Sequence, residues 1–153
     1  MRPLVKPLIT GLGISALGQI SDNRGTLLHM IRKDSHNFHG FGECYFSEIL
    51  PGAVKAWKFH LKQTQNLAVP VGRVRLVVFD DREGSITKGQ IQIVNLGRPD
   101  CYYRITIPPQ LWYGFSCISA VPALITNFAD IPHDPAESST IQVDEAKIPY
   151  QWQ

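Results

Sequence analysis

The chain has 153 residues, with 15 Lys and Arg against 13 Asp and Glu, a net charge of +2, and a length that suits one domain with a substantial core. An apolar fraction of 44% and a charged fraction of 18% are those expected of a soluble globular protein. The near balance of charge gives no argument for nucleic acid, and no apolar run approaches the roughly 18 residues of a membrane helix.

In chain order, residues 1–20 read as a leading arm, with a short helix expected over 14–20. Arg2 and Lys6 before an apolar stretch resemble a secretory leader, but Pro3, Pro7 and several glycines interrupt it, so a cytoplasmic protein is expected. Ser21 to Gly25 reads as a turn and Thr26 to Ile31 as a strand, followed by a polar loop to Gly42. Glu43 to Leu50 alternates as a strand does, and Pro51-Gly52 ends it. Further strands are expected over 67–71, 74–79, 90–96, 101–107 and 123–128, separated by Gly, Pro and Asp turns. The tail from 131 is rich in Pro, Asp and Ser, with a helical turn expected near Asp144 to Ala146. Short strands with hardly any helical period predict an all-β jelly-roll with a pocket between its sheets. The expected organisation is a single domain over 1–153: an arm to 20, a barrel over 21–130 and a tail over 131–153.

Val54 to Gln65 organises the rest. It sets two lysines and a histidine on a pattern that otherwise reads as buried strand. Alternation puts Lys58 and His60 on one face with Ala56, and Trp57 and Phe59 on the other. Polar groups facing the inside of a small barrel line ligand cavities, so this strand is expected to floor the pocket. The three cysteines, Cys44, Cys101 and Cys117, are odd in number and lack zinc spacing, which predicts free thiols in a reducing compartment. A metal-binding barrel of the His-x-His type is not predicted, because the first position of that pair is Lys58.

From about residue 22 onward the sequence resembles the dTDP-4-dehydrorhamnose 3,5-epimerase family of cupin-fold proteins, in particular its shorter members with Trp-His-x-His-x-x-Gln-Thr. Here that pattern reads Trp57-Lys58-Phe59-His60-Leu61-Lys62-Gln63-Thr64. Asp22-Asn23-Arg24-Gly25, the run Pro51 to Trp57, Asp80 to Gly89, Ile107 to Phe115, and Asp144 with Ile148-Pro149-Tyr150-Gln151-Trp152 match further family motifs in order. The resemblance implies a cupin-like jelly-roll and proton transfer next to the ketone of a nucleotide sugar, with no metal or cofactor. It also implies a homodimer that exchanges N-terminal strands; from charge and hydropathy, neither nucleic acid nor membrane is expected as partner. The expected substrate is a dTDP-4-keto-6-deoxyhexose or a close analogue.

The family's catalytic positions are substituted. Lys58 stands at the base position, Tyr113 replaces the histidine before Gly114, and Asn127 lies near the place of a catalytic tyrosine. Lys58, His60, Tyr113 and Asp144 are the expected catalytic set, with Lys58 and Asp144 as a pair in place of a histidine–carboxylate dyad. Arg24 and Lys55 are expected to meet the diphosphate, since cations bind phosphate through charge-assisted hydrogen bonds. Gln63, Arg82 and Asn127 complete the expected binding set, although Arg82 also suits a structural carboxylate pair. The alternative reading is a family member without activity that binds a nucleotide sugar or assists a sugar-biosynthesis enzyme.

Overall fold

The strand Arg73–Phe79 is buried on both faces, and its alternation divides the interior in two. Val74, Leu76 and Val78 join one apolar cluster. Val77 and Phe79 join a second, with Trp57, Trp112 and Ile148. The first cluster is the core between two sheets. The second lies on the outer face of one sheet, under the C-terminal tail.

The computed structural model describes residues 5–153, so Arg2 and Pro3 of the leader-like pattern lie outside the described residues. The strands are β1 (Gly13–Ala16), β2 (Gln19–Asp22), β3 (Gly25–Leu28), β4 (Glu43–Ile49), β5 (Val54–His60) and β6 (Gln65–Val71). They continue with β7 (Arg73–Phe79), β8 (Ile91–Gly97), β9 (Tyr103–Ile107), β10 (Trp112–Cys117), β11 (Ala123–Ala129) and β12 (Ser138–Thr140). A 3-10 turn, Pro135–Glu137, leads into β12, with Asp134 accepting from the Ala136 amide at its start.

Two five-stranded antiparallel sheets result, with orders β1-β9-β6-β11-β4 and β12-β5-β10-β7-β8. Ile49, Val69, Ile105, Ile107 and Ile125 from the first sheet meet Leu76, Val78, Val94 and Leu96 from the second. This is the jelly-roll expected from the strand spacing. The hairpin β2–β3 belongs to neither sheet.

Two local expectations are corrected. Residues 14–20 are not helical, because Gly13 to Ala16 pairs with β9, from Gly13 opposite Thr106 to Ala16 opposite Tyr103. Ladder hydrogen bonds along a sheet edge outweigh a weak local helix preference in a segment with Gly13 and Gly18. Part of the leading arm is therefore a sheet strand. The tail likewise contributes β12, which pairs with β5 through Ser138–His60 and Thr140–Lys58.

Candidate active site

β10 and β5 pair with a register shift. Tyr113 faces Lys58 while Phe115, two residues on, faces Lys55, three residues back. The extra residue makes a β-bulge around Ala56 and Trp57. Cross-strand partners share a face, so the bulge turns both lysines to the side of Tyr113 and Phe115. Strict alternation would have put Lys55 opposite Lys58, and this re-aiming is a common use of bulges beside functional sites. The bulge needs Gly114, because a Cβ there would lie 2.5 Å from the Ala56 Cβ and 3.0 Å from the Trp152 ring. Trp152 packs on Trp57 at 5.1 Å between ring centroids, so the tail backs the bulged strand.

Between the sheets lies a cavity of about 360 Å³, the size of a small-ligand site. Lys55, Lys58 and Tyr113 line one wall, on β5 and β10; Tyr45, Ser47 and Asn127 line the other, on β4 and β11. Leu67, Phe115 and Ile125 supply apolar surface. Among the described residues no group of three or more His, Cys, Asp or Glu is placed to hold a metal ion.

Behind the first wall runs a buried chain of three groups. His60 Nδ1 lies 2.5 Å from Glu137 Oε1, and His60 Nε2 lies 3.2 Å from the Tyr113 hydroxyl. Glu137 is seated by the Lys62 and Gln63 amides, which donate to its Oε2 at 3.1 and 3.2 Å. Burial pushes its carboxyl up, but the hydrogen bonds from His60 and these amides bring it below the usual range, so it is ionised. Burial lowers the His60 imidazole below its ordinary 6.5, and Glu137 opposes this only in part. A neutral ring beside an ionised carboxylate carries its proton on Nδ1, because the carboxylate can only accept. Nε2 is then an acceptor, and Tyr113 donates its O–H to it. Burial, reinforced by Tyr45 and Glu137, drives the Tyr113 phenol far above its ordinary value, so that the hydroxyl keeps its proton.

Behind the second wall runs a chain of amides. Gln63 Nε2 donates to the Ile131 carbonyl at 2.6 Å. Gln65 Nε2 donates to Gln63 Oε1, and Asn127 Nδ2 donates both to Gln65 Oε1 and, at 2.7 Å, to the Tyr45 hydroxyl. Asn127 Oδ1 is buried without a partner. Gln63, Gln65 and Asn127 are all buried, and a chain this enclosed must be satisfied in one consistent sense.

The predicted residues divide accordingly. Lys58, Tyr113, Lys55 and Asn127 line the cavity. His60 stands directly behind Tyr113. Gln63 does not line the cavity; it anchors the amide chain. Lys55 Nζ donates to Ser47 Oγ at 3.0 Å and to the Glu48 carbonyl at 2.6 Å. Lys58 Nζ donates to Ser138 Oγ at 3.2 Å. Among the described residues no ion pair joins Lys58 to Asp144. Asp144 instead lines a separate hollow with Ile148, Tyr150 and Trp152, in the turns after β12. The carboxylate that reaches the motif strand is Glu137, and its partner is His60. Arg82, expected in the binding set, does not line the cavity; it binds the fully buried Asp80 at 2.9 Å and the Thr10 carbonyl at 2.7 Å, a structural pairing. Arg24 pairs with Asp22 at 2.6 Å in the β2–β3 turn and lines a hollow away from the cavity.

Glu137 and Tyr45 were missed. Glu137 lies 77 residues from His60, so spacing carries no sign of their contact. Tyr45 had a legible signal, since in alternation it shares a face with Ser47.

No protein-family model matches the chain. The spore coat polysaccharide biosynthesis protein SpsL of Bacillus subtilis is 30% identical over 143 residues, covering 94% of this chain and 91% of that protein. The "Probable low-salt glycan biosynthesis epimerase Agl13" of Haloferax volcanii is 32% identical over 146 residues, covering 94% and 90%. The crystal structure of a dTDP sugar isomerase from Desulfovibrio desulfuricans superposes with a TM-score of 0.92 at 49% identity, over 94% of this chain and 92% of that one. With that likeness spanning nearly the whole chain, and a cavity flanked by proton-bearing side chains on both walls, the protein belongs to the dTDP-4-dehydrorhamnose 3,5-epimerase family of cupin-fold enzymes and is a sugar epimerase or isomerase.

Proposed function

We propose that the substrate is a dTDP-linked 4-keto-6-deoxyhexose and that the enzyme moves a proton on the carbon next to the ketone. The observation that carries this reading is the chain Glu137–His60–Tyr113, which ends at the cavity beside Lys58. As the substrate C–H bond breaks, Tyr113 oxygen takes that proton while its own passes to His60 Nε2. The imidazolium so formed is balanced by Glu137, and the electron pair enters an enolate. Lys58 Nζ has N–H groups beyond its bond to Ser138 with which to meet the enolate oxygen. A proton relay of this kind is general acid–base catalysis, and it requires His60 neutral at the start.

Lys55, at the rim of the same wall, is assigned to the diphosphate. Arg24 joins it in a homodimer that exchanges the β2–β3 hairpin. In support, that hairpin pairs with neither sheet and exposes Ile20 and Leu27, while β4 is a sheet edge with Phe46 exposed; unpaired edges of this kind accept strands from other chains. Asp144 has no place in this proton path. A cytoplasmic setting completes the reading, since Cys44, Cys101 and Cys117 are all free thiols. Among the described residues no helix is long and apolar enough to cross a membrane.

The test is proton NMR of the enzyme with dTDP-4-keto-6-deoxyglucose in deuterated water. Loss of the C3 or C5 proton signal, suppressed in Lys58→Ala, is the expected result. Binding of the nucleotide sugar without any exchange would overturn the reading.

A further inference from the structure

Inverting a carbon centre takes a base on one face of the sugar and an acid on the other. Tyr113 and Lys58 are directly opposed across two adjacent strands, so both act from the same wall. Asn127, which stands near the position expected for a tyrosine, carries an amide and cannot serve as the acid. Its cross-strand partner is Tyr45, whose ring lines the cavity from the facing sheet.

The direction of the hydrogen bonds decides what Tyr45 can do. The Ile131 carbonyl can only accept, so Gln63 must present its NH₂ to it and its oxygen to Gln65. Gln65 then presents its oxygen to Asn127, and Asn127 must donate. The Tyr45 oxygen is therefore an acceptor of the Asn127 N–H, and its own proton has no acceptor among the described residues. Tyr113 is the reverse case: its proton is already committed to His60, away from the cavity.

We infer that Tyr45 is the catalytic acid of the facing wall, and that Gln63, Gln65 and Asn127 are positioning residues that keep its proton available to the substrate. The assignment rests on the isomerase reading above. In the second half-reaction the Tyr45 O–H bond breaks and a C–H bond forms on the enolate carbon, on the face opposite the one that lost its proton. The ketone is restored, and the phenolate left on Tyr45 is held by the Asn127 N–H. Solvent returns a proton to Tyr45 and removes one from His60, which closes the cycle. Burial raises the Tyr45 phenol, with the Asn127 bond offsetting part of the rise, so Tyr45 holds its proton until an enolate draws it off.

The experiment separates exchange from inversion, again with dTDP-4-keto-6-deoxyglucose in deuterated water. Tyr45→Phe is expected to keep deuterium exchange within about threefold of the parent, because the base wall is intact, while inversion falls by about 100-fold or more. Asn127→Asp is expected to do the same, since its carboxylate would accept the Tyr45 proton instead of donating to the oxygen. Exchange and inversion falling together in Tyr45→Phe, or both surviving, would overturn the assignment and leave the isomerase reading standing. A parent protein that exchanges nothing would overturn both.

Discussion

The two walls of the cavity each present a tyrosine, and they differ in what lies behind it. On the β5–β10 wall the terminal group is a carboxylate, an acceptor, so the protons of His60 and Tyr113 point outward from the cavity. On the β4–β11 wall the terminal group is also an acceptor, the Ile131 carbonyl. Three amides intervene there: Gln63 and Gln65 each donate to an acceptor and present an oxygen onward, and Asn127 spends both N–H groups of its Nδ2, one on Gln65 and one on Tyr45. The Tyr45 oxygen thus receives a hydrogen bond where the Tyr113 oxygen gives one. The same side chain is prepared as a base relay on one sheet and as an acid on the other, by the hydrogen-bond chain that stands behind it.

The largest effect is expected at Lys58, whose loss leaves the base wall with no donor for an enolate oxygen. Lys58→Ala should lower the exchange rate by about 10³-fold, about 4 kcal/mol, the upper end of what one such donor contributes. Single-turnover exchange at saturating substrate measures it. A loss confined to KM would place Lys58 in binding and break the comparison, since the two walls would then differ only in their tyrosines.

A control of similar size lies outside both walls. Asp80 is fully buried. Burial alone would push its carboxyl up, but Arg82, Thr87 and Ser85 together hold it far below 3.8. Asp80→Asn should cost about 3 kcal/mol at neutral pH, as breaking a buried ion pair does, with the ratio of exchange to inversion unchanged in the folded protein. Because the folded-state value is depressed, the stabilisation is complete above about 3.8 and is lost as pH falls through the folded value. Urea titrations should therefore show parent and variant converging in strong acid. A gap that persists there would mean that packing, not charge, is what the substitution removes.

Glu137 is next. Glu137→Gln keeps the shape but takes away the charge that balances imidazolium, so exchange should fall by about 100-fold. The pH profile separates this from mere loosening. The rate needs neutral His60, whose value lies below 6.5, so the acid limb lies below 6.5 and activity is lost as pH falls through it. Glu137 acts to raise that value, hence its removal should move the limb further toward acid. A limb that stays in place would cut Glu137 out of the relay.

Much of the base wall was legible in the sequence. Lys58, His60 and Tyr113 lie in motifs with a fixed order, and strand alternation put Trp57 and Phe59 in the outer cluster, where they are found. What escaped has physical causes. The bulge at Ala56–Trp57 breaks the period of two on which any facing argument rests, so the side of Lys55 was readable only by resemblance. Glu137 meets His60 because β12 pairs with β5, and the three residues of β12 are too few to signal a strand. Gln63 belongs to the expected binding set by its place in the motif, yet its amide nitrogen meets a backbone carbonyl beyond the end of β5, where alternation no longer says which way a side chain points. The acid wall was missed because Tyr45 matters through a partner, Asn127, that looked like the functional residue itself.

The smallest effect belongs to Lys55, and it sharpens the contrast between walls by acting on neither proton. Its Nζ is tied to Ser47 and the Glu48 carbonyl of β4, so it bridges the two sheets at the rim of the cavity and is exposed. A lysine meets phosphate as a single point of charge, not the paired fork of an arginine. Lys55→Met should therefore weaken dTDP binding by no more than about tenfold, and less as salt is raised, because an exposed charge is screened over about 10 Å at 0.1 M. Exchange and inversion at saturating substrate should stay in their parent ratio. Calorimetric titration with dTDP at two salt concentrations reads the first two expectations. If affinity is unchanged at low salt, the diphosphate does not lie at Lys55, and the bond to β4 is its whole role.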